Sequence, residues 1–197
     1  MTKSIDEVRD AREDNAWLKR YYFARAGFSI VWVAAAYALA DSATAIVAAL
    51  LLIYPAWDAI ANLVDAQRNG GVRRNPTQAF NMAVSTVTTI AVAVALTTSM
   101  NAVLGVFGVW ASATGLLQLA TAIRRRKSSG QWPMMLSGIQ STAAGASFIA
   151  KAAAATAPQI TAIAPYAAFG AFYFLASAIW LTIVDARRAS LPQKETR

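Results

Sequence analysis

Apolar segments about 20 residues long recur throughout this chain of 197 residues, and nothing else in it constrains the fold so strongly. A helix of that length crosses a hydrocarbon core roughly 30 Å thick. Six such stretches are expected, at approximately 21–40, 43–64, 77–98, 102–123, 134–155 and 165–184. They are continuously apolar and rich in Ala, Leu and Val rather than alternating, which favours helices over a membrane barrel. Composition agrees, since 57% of residues are hydrophobic and only 14% charged. The expected fold class is all-α integral membrane, with six transmembrane helices.

Orientation follows from the basic residues, which are retained on the cytoplasmic side when they lie near span ends. Of the 18, six fall in residues 3–25, three in 68–74, four in RRRK at 124–127 and four in 187–197, leaving only Lys151. The short connections near 41–43, 99–101 and 156–164 carry none. The spans therefore read as three hairpins with both termini cytoplasmic, residues 21–188 forming the membrane domain and 189–197 a cytoplasmic tail. A competing reading takes Phe28 to Tyr37 as a signal-peptide core cleaved after Ala38-Leu39-Ala40. Against it, the preceding region is long and holds five acidic residues.

The hairpin endings echo one another: LVDAQR at 63–68, IVDARR at 183–188 and, more weakly, LATAIRR at 119–125. Such echoes suggest a threefold internal repeat. Helix boundaries are expected at Asn75-Pro76, Trp132-Pro133 and Pro165, since proline suits a first helical turn. Asp41 or Ser42 is expected to cap the second helix and Asn101 the fourth. Residues 1–20 are expected to form an amphipathic helix opened by a capping box at Ser4-Ile5-Asp6-Glu7, lying at the cytoplasmic interface or, in the alternative reading, docking a membrane-protein partner.

The absence of cysteine and histidine excludes disulfides, thiolate nucleophiles, histidine-ligated metals and a Ser-His-Asp triad. No cofactor or metal is expected. The pI near 10.2 does not require nucleic acid, because the basic loops already follow from topology. Arg124, Arg125, Arg126 and Lys127 are expected to meet anionic lipid headgroups, which makes membrane lipids the expected partner.

Polar side chains within the spans are costly and need partners. Asp58, Asn62, Asn81, Gln118 and Gln140 all fall in the cytoplasmic halves of their helices, with Asp65 extending the stripe toward the inner surface. Asp58 stands out because Asn62 and Asp65 follow at helical spacing, and because Pro55 frees the carbonyl of Leu51 less than a turn away. Two readings stay open: polar contacts that join helices, or a hydrated inner vestibule in which Asp58 binds a proton or cation. Small residues at intervals of four mark close helix packing: Ser137, Ser141 and Gly145 on the fifth span, Ala111 and Gly115 on the fourth, Ala164 and Ala168 on the sixth. Whether they join helices of one chain or of a homo-oligomer stays open too. Lys151 lies near the outer end of the fifth span, where its stem can lift the ammonium to the headgroups.

The stretch GVWASATGLLQLATAIRRRKSSGQWPMMLSGIQSTAAGASFI, residues 108–149, resembles the HdeD-like membrane proteins in its glycine-bearing helix, basic run, Gly-x-Trp and Leu-Ser-Gly-Ile. The resemblance covers roughly residues 102–188; the first two helices match poorly, and the turn ALADSAT lacks the proline that members often carry there. It implies six short helices in three hairpins, an inner-membrane location in bacteria, and a link to acid or stress tolerance, with no catalytic residue to carry over. Three classes of function result: a non-enzymatic stress-tolerance or scaffold protein, which is the preferred reading; a small transporter or channel for protons or a small solute; and an intramembrane enzyme using Ser147 with Lys151.

Overall fold

The computed structural model describes residues 5–124 and 131–189. Among them the chain is helical and contains no strand. Six helices follow in order: α1 (Ile5–Ala38), α2 (Thr44–Arg68), α3 (Pro76–Leu96), α4 (Met100–Arg124), α5 (Gln131–Ala152) and α6 (Ala164–Ala189). Four of them, α2, α3, α4 and α6, are long and apolar enough to cross a membrane. The two that fall short do so for visible reasons. The apolar half of α1 is diluted by Arg25, Ser29, Trp32 and the tyrosines Tyr21, Tyr22 and Tyr37, and α5 carries Ser137, Gln140, Ser141, Thr142, Ser147 and Lys151.

The boundaries reflect local chemistry. Helix α3 starts at Pro76, where a missing N–H costs nothing. The connection before it turns through Gly70 and Gly71, both at positive φ (92° and 96°), a region open to glycine without strain. Asn75 fastens that turn by donating to the carbonyls of Asn69 and Gly71 at 2.8 and 2.9 Å. Two expected caps are corrected. Ala43, not Asp41 or Ser42, occupies the position before α2, and Asp41 instead accepts a hydrogen bond from Gln159. Ser99 caps α4 by accepting from the Ala102 N–H, whereas Asn101 donates to the carbonyls of Ala152 and Ala154 at the end of α5. Its two amide hydrogens thus satisfy carbonyls that the helix terminus leaves open.

Helix α1 runs without interruption through residue 20, so the amphipathic segment and the first apolar stretch are one 34-residue rod. Ser4 of the expected capping box, Arg125 to Lys127 of the basic run and the tail beyond Ala189 lie outside the described residues. The chain divides into two compact units: one pairs the N-terminal part, up to Val31, with the part from Ala167 onward; the other comprises Trp32–Tyr166.

Within the larger unit, the closest packing joins α4 to α5 through glycines. Gly108 lies against Gly145 and Gly115 against Gly138, each pair member seven residues from the next on its own helix, so the antiparallel register is matched at two levels. A Cβ on Gly115 would sit 2.8 Å from the Gly138 carbonyl oxygen, which no side chain tolerates. Ser141 donates across the same seam to the carbonyl of Ala111 at 3.0 Å. Lipid offers helices no hydrophobic gain on association, so such close backbone approach is what holds them. The small-residue expectation therefore holds for Ser141, Gly145, Ala111 and Gly115, with a seven-residue glycine spacing added. On α6, Ala164 is buried but Ala168 is exposed, so the two do not form one packed stripe.

In the smaller unit, Lys19 of α1 pairs with Asp185 of α6 at 2.6 Å. Arg25 lies over the ring of Phe174, 4.3 Å from its centroid, and donates to the Tyr21 hydroxyl. Asp65 and Asp185, which occupy the same place in the two echoed hairpin endings, thus each reach a neighbouring helix, α3 and α1 respectively.

Candidate functional site

The site grows from the polar stripe on α2. Asp58 projects toward α3, where the Ser85 hydroxyl donates to its Oδ2 at 2.7 Å. Ser85 in turn accepts from the indole Nε1 of Trp110 on α4 at 3.1 Å, so one hydroxyl links three helices. Asn62, one turn further along α2, donates to Oδ2 of Asp58 at 3.0 Å and to its backbone carbonyl at 2.8 Å. Ser85 is fully buried, and Trp110 and Asn62 are 5% and 8% exposed. In so dry a setting each of these bonds is electrostatically stronger than in water, and each lost one is correspondingly costly.

A second polar level lies two turns along. Asp65 accepts from Gln78 of α3 at 3.1 Å and from Asn69 at 2.9 Å. Two levels joined by the same pair of helices fix the antiparallel register of α2 and α3. Leu51 and Val92, which that register places opposite each other, are both fully buried. Asn81 falls between the levels on α3, and its Oδ1 is enclosed without a hydrogen-bond partner.

Toward the start of α2 the carboxylate is roofed by aromatic rings. Tyr54, one turn before Asp58, packs on Trp32 at 4.6 Å between centroids and meets the edge of Trp110 at 5.8 Å. Trp110 meets Tyr166, which meets Phe148, in the edge-on geometry aromatic pairs prefer. The Tyr166 hydroxyl closes this layer with a 3.1 Å hydrogen bond to Ser141. The indole of Trp32 also donates to the Leu50 carbonyl at 2.8 Å.

The expected belt thus separates into parts. Asp58 and Asn62 form one cluster with Ser85 and Trp110, and Asp65 another with Gln78 and Asn69. Gln118 and Gln140 are half-buried on α4 and α5. The register of the matched glycines sets Gln118 opposite Met135 and Gln140 opposite Ala113, so the two amides stand at different levels. Arg124 is exposed in the last turn of α4, and Lys151 is exposed in the last turn of α5. Ser147 is exposed as well.

Sequence reasoning missed Ser85, Gln78 and Trp110. A signal existed on α3, where Gln78, Asn81, Ser85 and Thr88 recur every three or four residues and trace one face. Other hydroxyls, including Thr89, Thr121, Thr142 and Ser177, bond to the carbonyl four residues back and settle their polarity within their own helix. The Ser85 hydroxyl, by contrast, carries a carboxylate and an indole at once.

Residues 83–150 match a family described as a short repeat of unknown function (DUF308). The matched stretch holds α4 whole, with most of α3 and α5. It therefore contains Ser85, Trp110 and the four glycines of the α4/α5 seam, but not the α2 stripe of Asp58, Asn62 and Asp65. No curated protein and no solved structure matches the chain. The apolar helices and this repeat mark a helical membrane protein.

Proposed function

We propose that this is a multi-pass protein of the bacterial inner membrane, with six spanning helices in three hairpins and both termini cytoplasmic. In this reading it is not an enzyme; it serves a structural or acid-stress tolerance role. One observation carries the choice between helix glue and transport: Asp58 is bound by Ser85 and Asn62 and tied through Ser85 to Trp110 on a third helix. A carboxylate so engaged acts as a clasp. The stretch that resembles the HdeD-like proteins, 108–149, lies wholly within the matched repeat, which supports the family reading and with it the stress role. The exposed Arg124 and the basic run after it suit anionic lipid on the cytoplasmic side.

Vesicles containing the purified protein test the clasp against the alternative of a small transporter or channel for protons or a small solute. The expected result is no proton or solute flux above protein-free vesicles, together with loss of thermal stability in Asp58→Ala. Flux that Asp58→Asn abolishes would establish the transporter instead. Reporter fusions at both termini and at 41–43 and 97–101 test topology, and survival of a deletion strain at low pH tests the stress role.

A further inference from the structure

No acidic residue occurs between Asp65 and Asp185, so the basic residues along that run have no carboxylate among their neighbours in sequence. In the unit Trp32–Tyr166 the acids are Asp41, Asp58 and Asp65. Asp41 precedes α2, at the far end of that helix from the α2–α3 connection, and Asp58 lies nearly three turns inside the near end, bound by Ser85 and Asn62. Asp65 is nearest, and both its oxygens are taken, Oδ1 by Asn69 and Oδ2 by Gln78. Arg73 and Arg74 are exposed in the short turn Val72–Arg74 of the connection, and neither makes an ion pair among the described residues. Their counter-charge has to come from outside the unit.

The connection is built to present them. The Asn75 amide donates to the carbonyls of Ala66, Asn69 and Gly71, and so gathers inward the oxygens that would repel an anion. Gly70 leaves room for Arg74 to fold back, its Cδ passing 3.4 Å and its Nη1 3.8 Å from where a Cβ would stand. Val64 and Phe80, each about one turn from the connection on its own helix, are exposed apolar side chains. Arginine's fork of N–H donors matches phosphate oxygens, and apolar side chains beside it suit acyl chains. We infer that the α2–α3 turn seats the phosphate of an anionic phospholipid, with Arg73 and Arg74 on the headgroup and Val64 and Phe80 against the chains. This deepens the lipid contact proposed above and rests on the membrane reading, giving that contact a second place apart from the basic run that starts at Arg124. It does not rest on the orientation, because a symmetric nanodisc offers the same lipid to both faces.

The chain has no cysteine, so Gln67→Cys and Ala43→Cys each place a single fluorophore, one at either end of α2. The full chain in phosphatidylcholine nanodiscs is titrated with phosphatidylglycerol or phosphatidylcholine carrying a doxyl quencher near the top of one acyl chain. Each cation near the surface favours an anionic lipid by a factor of about five, so two favour it about 30-fold. Phosphatidylglycerol is therefore expected to quench at residue 67 at a mole fraction about 30-fold lower than phosphatidylcholine, with a much smaller preference at residue 43. Arg73→Gln with Arg74→Gln is expected to abolish the preference at 67, and Arg20→Gln to leave it. Inorganic phosphate at fixed ionic strength is expected to leave it too; displacement by that ion would overturn a lipid as the occupant. Equal quenching by the two lipids at 67 would overturn the inference and spare the membrane reading, whereas no quenching by either would overturn both. Loss of the preference in Arg20→Gln would overturn it in favour of diffuse charge. The comparison of the two lipids in the otherwise unchanged chain decides the matter even where the arginine variant does not fold.

Discussion

Replacing Gly145 by alanine probes what holds α4 to α5. The new Cβ would lie 2.5 Å from the Gly108 carbonyl oxygen and 2.6 Å from the Ser112 nitrogen, and it would also overlap the Ser112 hydroxyl. Ordinary contact begins at 3.4 Å, and the first two obstacles are backbone, which no rotamer change can clear. The helices must therefore part by nearly an ångström at this level. A gap of about 0.5–1 Å forfeits a quarter to a half of each van der Waals contact along the seam. Overpacking of this kind costs about 1–3 kcal/mol. Alanine returns up to about 1 kcal/mol through its better helix propensity. A net loss of about 1–2 kcal/mol would lower Tm by roughly 2–8 °C. Thermal unfolding in nanodiscs measures it, with Gly27→Ala as control, because a Cβ there meets nothing within 4 Å. That control is expected to be neutral or slightly stabilising. Gly115→Ala added to Gly145→Ala should cost less than it does alone, since the helices have already separated. Equal Tm values for Gly145→Ala and Gly27→Ala would refute the reasoning.

Other outcomes follow from single contacts. Ser85→Ala strips a donor from the Asp58 carboxylate and an acceptor from the Trp110 indole, and should destabilise by about 2–4 kcal/mol, with Trp110 fluorescence reporting the change of partner. Trp32→Phe keeps a ring against Tyr54 but loses the bond to the Leu50 carbonyl, for a loss of about 1 kcal/mol in chemical denaturation. Asp185→Asn breaks the Lys19 pair, whose side chains are 24% and 31% exposed; the cost should stay within about 1 kcal/mol and shrink as salt is raised. Asn101→Leu should fray the end of α5, seen as faster amide exchange at residues 152–154.

The reach of the sequence differs between these features. Helices were legible because spanning segments must satisfy their backbone internally, which writes a long apolar run into the chain. The start of α3 was legible because proline is suited to one place in a helix. The stripe of Asp58, Asn62 and Asp65 was legible because period 3.6 places such residues on one face. Caps were misassigned because several polar residues near a terminus compete for the role, and tertiary contacts decide among them: Asp41 and Asn101 were drawn to Gln159 and to the end of α5.

By itself, the sequence determined that this chain is a set of apolar helices with carboxylates and amides confined to particular turns, because desolvation leaves long apolar segments few alternatives. Only the tertiary structure decided which of those turns meet. The partnership of Asp58 with Ser85 and Trp110 depends on the register of α2 against α3, and the glycine seam depends on that of α4 against α5. Register is set by packing between helices, which no single helix encodes. A change of one residue in either register would turn these polar groups away from their partners.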